Sequence, residues 1–294
     1  MRRSMLFIPG NTPNLLINSN CLGSDAIIFD LEDAVAPGEK DSARLLVRNT
    51  IKYMDFTGIE IIVRINALDS GFWKEDLEEI IPVKPDIIML PKTNHADDVL
   101  LVSEYIKQME LRLGIENNTF KIMPLIETAL GVENSYQIAS SDKRVCAIFL
   151  GAEDLTADMR CKRTKVGKEI DYARSRLVIA ARASGIDVYD TPFTDVNDDD
   201  GVKIDAEYAK SLGFTGKASI SPRHVELINR VFSPSIDDIR YAYEVMDAIE
   251  EAQAIGRGAI ALRGKMIDAP IVARARQTIE MAESMGIRKE QIDG

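Results

Sequence analysis

The chain alternates short apolar runs with amphipathic stretches as far as about residue 230. The runs are Met5 to Ile8, Ala26 to Phe29, Ile61 to Ile65, Ile87 to Leu90, Ile122 to Ile126, Val145 to Leu150, Ile186 to Tyr189 and Lys217 to Ile220. Most are unbroken and rich in β-branched or aromatic residues, the pattern of parallel strands buried on both faces. Helical spacing fills the intervals: Thr12 to Cys21, Lys40 to Tyr53, Trp73 to Ile80, Asp97 to Arg112, Val132 to Ser140, Asp171 to Ala183, Gly201 to Leu212 and Pro222 to Val231. Eight βα units of this length predict a closed (β/α)₈ TIM barrel, an α/β fold, over residues 1–233. An open doubly wound sheet is the alternative, but Pro9-Gly10-Asn11 follows the first run, with no GxGxxG fingerprint.

Residues 234–294 break the rhythm. Asp237 to Ala254 reads as a helix, Ala259 to Leu262 as a short apolar segment and Ile271 to Met285 as a last helix. This C-terminal helical extension is expected to act as a lid and subunit contact.

Composition narrows the functions. Among 294 residues, 36 Lys and Arg face 47 Asp and Glu, a net charge of −11. That excludes nucleic acid and an anionic membrane as main partners, because phosphate binding needs a basic footprint. The apolar start breaks at Pro9, too early for a secretory segment, and no run approaches a membrane span. Cys21, Cys146 and Cys161 have no metal or redox spacing, so reduced thiols in the cytoplasm are expected.

Barrel enzymes work at the C-terminal ends of their strands, and here those positions are polar. The runs end in Asp30-Leu31-Glu32-Asp33, Arg64-Ile65-Asn66, Pro91-Lys92, Glu127-Thr128, Gly151-Ala152-Glu153-Asp154 and Asp190-Thr191. One polar residue is an ordinary loop opener, whereas six such ends converging on one mouth suggest a site. Glu127 and Asp154 close consecutive strands and suit a hard cation such as Mg²⁺, although either could pair with a lysine or cap a helix. Arg64 is the natural anchor for a small organic acid, with Asp30 orienting either it or a metal-bound water, and a structural ion pair is an equally good reading of both. Lys92 is expected to pair with charges rather than form a Schiff base. His95 and His224 are expected at the surface and Cys146 in the core, and no nucleophile elbow is visible.

The ordered set Arg3-Ser4-Met5-Leu6-Phe7-Ile8-Pro9-Gly10, Asp30-Leu31-Glu32-Asp33-Ala34-Val35, Arg64-Ile65-Asn66, Leu90-Pro91-Lys92, Ile126-Glu127-Thr128, Gly151-Ala152-Glu153-Asp154, Gly213-Phe214-Thr215-Gly216-Lys217 and Gly264-Lys265-Met266-Ile267-Asp268-Ala269-Pro270 resembles the citrate lyase β-subunit family. That family also holds malyl-, citramalyl- and β-methylmalyl-CoA lyases. The likeness covers nearly the whole chain. It implies a barrel assembled as trimers or hexamers, Mg²⁺ on Glu127 and Asp154, and the substrate carboxylate on Arg64 and the amides of Ala152, Glu153 and Asp154. It also implies that Asp268 reaches a neighbouring copy's mouth as acid/base, though by itself Asp268 reads equally as a helix N-cap. Asp30, Asp33, Asn66 and Lys92 take supporting places.

Where many stand-alone members read Ile-His-Pro after the eighth strand, this chain has Ile220-Ser221-Pro222. That departure points to the multisubunit citrate lyase branch, with an α subunit and an acyl-carrier-protein γ subunit as partners. The expected reaction is cleavage of a citryl thioester to oxaloacetate and an acetyl thioester. A stand-alone lyase for citramalyl-CoA or malyl-CoA is the first alternative. A non-catalytic barrel that binds an organic acid or scaffolds a complex is the second.

Overall fold

The structure, a computed structural model, describes residues 2–254 and 260–291, and it divides into two compact units. The first, Arg2–Phe232, is a barrel of eight parallel strands. They are β1 (Ser4–Pro9), β2 (Ala26–Asp30), β3 (Glu60–Arg64), β4 (Ile87–Leu90), β5 (Lys121–Ile126), β6 (Ala147–Leu150), β7 (Asp187–Asp190) and β8 (Gly216–Ser219), and β1 closes the ring on β8. Between them run α1 (Pro13–Leu16), α2 (Lys40–Tyr53), α3 (Trp73–Ile80), α4 (Ala96–Leu113), α5 (Ala129–Glu133), α6 (Ser135–Ala139), α7 (Ala152–Asp158), α8 (Asp171–Ser184) and α9 (Asp199–Leu212), and α10 (Pro222–Phe232) follows the last strand.

The unbroken apolar runs form strands because both faces are covered. Alternate residues point inward, where Met5, Ile28, Ile62, Met89, Met123, Leu125, Phe149, Tyr189 and Ala218 fill the barrel. Their neighbours Leu6, Phe29, Val63, Ile88, Ile122, Ile148 and Val188 face outward into the larger core against the helices. This two-residue period fixes which strand-end side chains reach the mouth.

Three sequence expectations need correction. The helix expected over Thr12 to Cys21 is a single turn, Pro13–Leu16, followed by a 3₁₀ turn, Ser19–Cys21. Asn18 donates to the Asn14 carbonyl (2.8 Å) and Ser19 to the Leu16 carbonyl (2.7 Å), so short polar side chains compete with the helical ladder. The helix expected over Val132 to Ser140 is two short pieces meeting at Asn134, whose side chain donates to the Asn94 carbonyl (2.8 Å). His224, expected at the surface, is buried with its ring 6.5 Å from that of Phe193. Its helix is strongly amphipathic, and position 224 falls on the inward stripe with Val225 and Ile228.

The second unit comprises the described residues of Ser233–Gly294. Helix α11 (Ile236–Ala254) and helix α12 (Ala269–Ser284) pack around Ala242, Val245, Ile267 and Ala275, and β9 (Ile260–Leu262) pairs antiparallel with β10 (Lys265–Ile267). Among the described residues no helix is long and apolar enough to cross a membrane.

Candidate active site

At the C-terminal ends of the strands lies a cavity of about 430 Å³. Its polar lining includes Asp30, Arg64, Glu127, Glu153, Asp154 and Thr191, and its apolar wall is Phe7, Leu125, Phe149, Pro192 and Ile220. Asp30, Arg64, Glu127, Gly151, Thr191 and Ile220 each stand two residues beyond an inward-facing core residue, so the strand period itself delivers them to the mouth. Phe7 and Phe149 meet edge to face with ring centroids 6.0 Å apart. The result is a polar rim on one side and an aromatic floor on the other, as small-molecule sites require.

Arg64 lies at the end of β3 beside Asp30 at the end of β2, where the two strands pair in register. Its Nε and one terminal nitrogen donate to the two Asp30 oxygens at 2.7 Å each. The other terminal nitrogen sits 3.2 Å from the Glu32 carboxylate, and the guanidinium carbon lies 5.2 Å from the centre of the Phe7 ring. Burial opposes the charge on Asp30, but the Arg64 guanidinium and the amides of Glu32 and Ala34 hold its carboxyl below the usual range. Asp30 therefore fixes one edge of the guanidinium and leaves the outer edge, partly engaged by Glu32, for an anion.

Glu127, at the end of β5, is buried, and one of its oxygens accepts the Lys92 amide at 2.7 Å. To aim that amide, Lys92 adopts a left-handed backbone (φ 49°), a conformation costly for a side chain with a β-carbon. Burial first, then the Glu32 carboxylate, push the Glu127 carboxyl up to about 8; Arg64 opposes them and Asp154 adds to the rise. A cation between Glu127 and Asp154 would offset the carboxylate charge that Arg64 only partly balances. Two carboxylates with room for water and substrate suit Mg²⁺, and the residues present fit the metal.

The expected supporting residues divide. Lys92 forms ion pairs with Glu32 (2.8 Å) and Asp33 (3.5 Å). Asn66 is turned aside: its amide nitrogens, main chain and side chain, both donate to Asp76 at 2.7 Å, and Asp76 also accepts from Arg44. Asp190, expected at the mouth with Thr191, has the outward parity of its strand and forms buried ion pairs with Arg174 and Lys217. Glu153 is mostly exposed and lies 3.5 Å from Arg163. Asp268 belongs to the C-terminal unit, where it is the exposed N-cap of α12 and accepts the Ile271 amide at 3.2 Å. His95 is exposed, and Cys146 is partly buried against the barrel interior.

Residue types alone left several contributors unassigned. Glu32 shares Arg64 and Lys92 with the other carboxylates. The buried Lys40 ammonium donates to the carbonyls of Leu31 and Glu32 at 2.7 Å each and holds that loop. Gly151 leaves space for Glu127, because a β-carbon there would lie 2.7 Å from both its Cβ and one carboxylate oxygen.

A closed eight-stranded barrel with carboxylates and an arginine at its mouth is an architecture that barrel enzymes use for small anionic ligands, and the comparisons place the chain within one family of aldolases and lyases. Residues 3–222 match the model of the HpcH/HpaI aldolase/citrate lyase family, and the chain belongs to that family. The citrate lyase subunit beta of Haemophilus influenzae is 42% identical over 290 residues, covering 99% of each chain. The mitochondrial citramalyl-CoA lyase of Homo sapiens is 31% identical over 97% of this chain and 86% of that protein. The CitE protein of Mycobacterium tuberculosis, crystallised with magnesium, acetoacetate and coenzyme A, superposes with a TM-score of 0.78 at 28% identity, covering 96% of this chain and 98% of that one.

Proposed function

We propose that this member of the family is the β subunit of a citrate lyase, a Mg²⁺-dependent carbon–carbon lyase that cleaves a citryl thioester into oxaloacetate and an acetyl thioester. The observation that carries the reading is the convergence of Arg64, Glu127 and Asp154 on one mouth beside an aromatic floor. The outer edge of Arg64 holds the carboxylate of the oxaloacetate portion, with Asp30 keeping the guanidinium in one orientation. The amides of Glu153 and Asp154, in the first turn of α7, lack intrahelical partners and add donors on the same side. Mg²⁺ held by Glu127 and Asp154 supplies a Lewis acid that lowers the pKa of the citryl hydroxyl.

Cleavage needs that hydroxyl to pass its proton to a water or carboxylate at the mouth, the resulting alkoxide to become the ketone of oxaloacetate, and the electron pair of the breaking bond to pass into the thioester as an enolate. Asp268 from a neighbouring copy then delivers the proton to the enolate carbon, or removes it in the reverse direction. This assignment requires more than one copy; the reading takes the working form as a homotrimer or hexamer in the cytoplasm, joined by an α subunit and an acyl-carrier γ subunit as its citrate lyase relatives suggest. The 42% identity to a citrate lyase subunit beta over almost the full length supports the citryl branch. Substrate profiling tests it: the reading expects citryl-CoA, standing in for the carrier thioester, to be turned over in preference to citramalyl-CoA and malyl-CoA. Preference for either of the latter would move the protein to the stand-alone branch.

A further inference from the structure

Helix α7 starts without a cap of its own. Its N-cap is Gly151, which has no capping side chain, and none fits there because a β-carbon would collide with Glu127. The acceptor comes from the next strand instead: the Thr191 hydroxyl accepts the Ala152 amide at 3.2 Å. Thr191 is itself held from outside the cavity, because the Lys217 ammonium donates to its carbonyl at 2.6 Å. Lys217 is fully buried and also donates to Asp190 and Asp205 at 2.6 Å each. Arg174 closes the group, with two bonds to Asp190 (3.0 and 2.8 Å) and one to Asp205 (2.7 Å). Two cations and two anions thus balance between barrel and helices, aimed at one carbonyl behind the site.

We propose that Thr191 is a positioning residue that sets Asp154 against Glu127 through the helix start it caps, and that Lys217 with Asp190, Asp205 and Arg174 holds Thr191 in place. The inference rests on the reading of Glu127 and Asp154 as the metal pair. It gives a function to the lysine of Gly213-Phe214-Thr215-Gly216-Lys217, a motif that contributes no side chain to the cavity.

The test is Mn²⁺ binding to the full-length protein, followed by the electron paramagnetic resonance signal of the free ion, alongside kcat and KM for citryl-CoA. Thr191→Val removes the acceptor at nearly constant volume, and loss of one ordinary hydrogen bond should weaken Mn²⁺ binding by about three- to tenfold. The loss in turnover should fall on kcat more than on KM, and Thr191→Ser should restore both. Ala152→Pro removes the donor at a helix position that tolerates proline, so it checks the same bond if the valine variant does not fold. The double variant should bind Mn²⁺ no more weakly than either single one. Wild-type affinity in Thr191→Val, or additive losses in the double variant, would overturn the positioning role. Absence of Mn²⁺ binding to the wild-type protein would instead strike the metal reading, and the positioning role with it.

Discussion

Arg64 is set in place before any substrate arrives. Its Nε edge is matched to both Asp30 oxygens and its charge is shared with Glu32, so only the outer edge is left for an anion. A lysine cannot reproduce this, because an ammonium has neither the planar fork nor the reach to hold Asp30 and a ligand together. Arg64→Lys should therefore lower kcat/KM by about 100-fold or more, with the fold retained by circular dichroism; near-normal kinetics would contradict the anchoring role. His224 makes a different prediction. Burial holds its imidazole below the usual value, with Asp199 pulling the other way. The unfolded chain takes up the proton first as pH falls, so stability should decline below about pH 6.5. Melting temperatures measured between about pH 7 and pH 5.5 should fall in the wild type and fall less in His224→Gln.

Among the elements, the two-residue period of the strands decides which polar end serves chemistry. The apolar runs made the barrel legible, and Asp30, Arg64 and Glu127 could be read as strand ends. Reading every residue after a run as a mouth residue was too generous, because parity separates Thr191, which lines the cavity, from Asp190, which turns outward to Arg174 and Lys217. The signal was present in the sequence, since Asp190 follows an inward tyrosine by one residue and Thr191 follows it by two. Other features were not legible: the left-handed Lys92 and the missing β-carbon at Gly151 answer to neighbours distant in the chain. Helix α7 was hidden because its cap lies on another strand. Lys217 tests this level most sharply. Lys217→Met leaves Asp190 and Asp205 sharing Arg174 alone in a buried setting, which should cost about 3–5 kcal/mol in denaturant unfolding. A loss below about 1 kcal/mol would show that the network is not held together as described.

For the whole molecule, the division into a barrel and a C-terminal unit separates the proposed metal pair from the proposed acid/base. Asp268 sits on the second unit, capping α12, and its proposed catalytic target is another copy's mouth. Mixing inactive Asp268→Asn with inactive Glu127→Gln subunits under exchange conditions should restore part of the activity, because some mouths then combine an intact metal pair with an intact aspartate. No recovery in mixed oligomers would place the proton donor within the barrel's own copy. The mouth is proposed to be a Mg²⁺-dependent lyase centre for a citryl thioester. Oxaloacetate release from citryl-CoA by the purified chain, with Mg²⁺ and then with excess EDTA, tests it most directly. The expected result is release that EDTA abolishes and that Glu127→Gln and Asp154→Asn each lack even with added Mg²⁺. Release that persists in EDTA, or full activity in both variants, would contradict it.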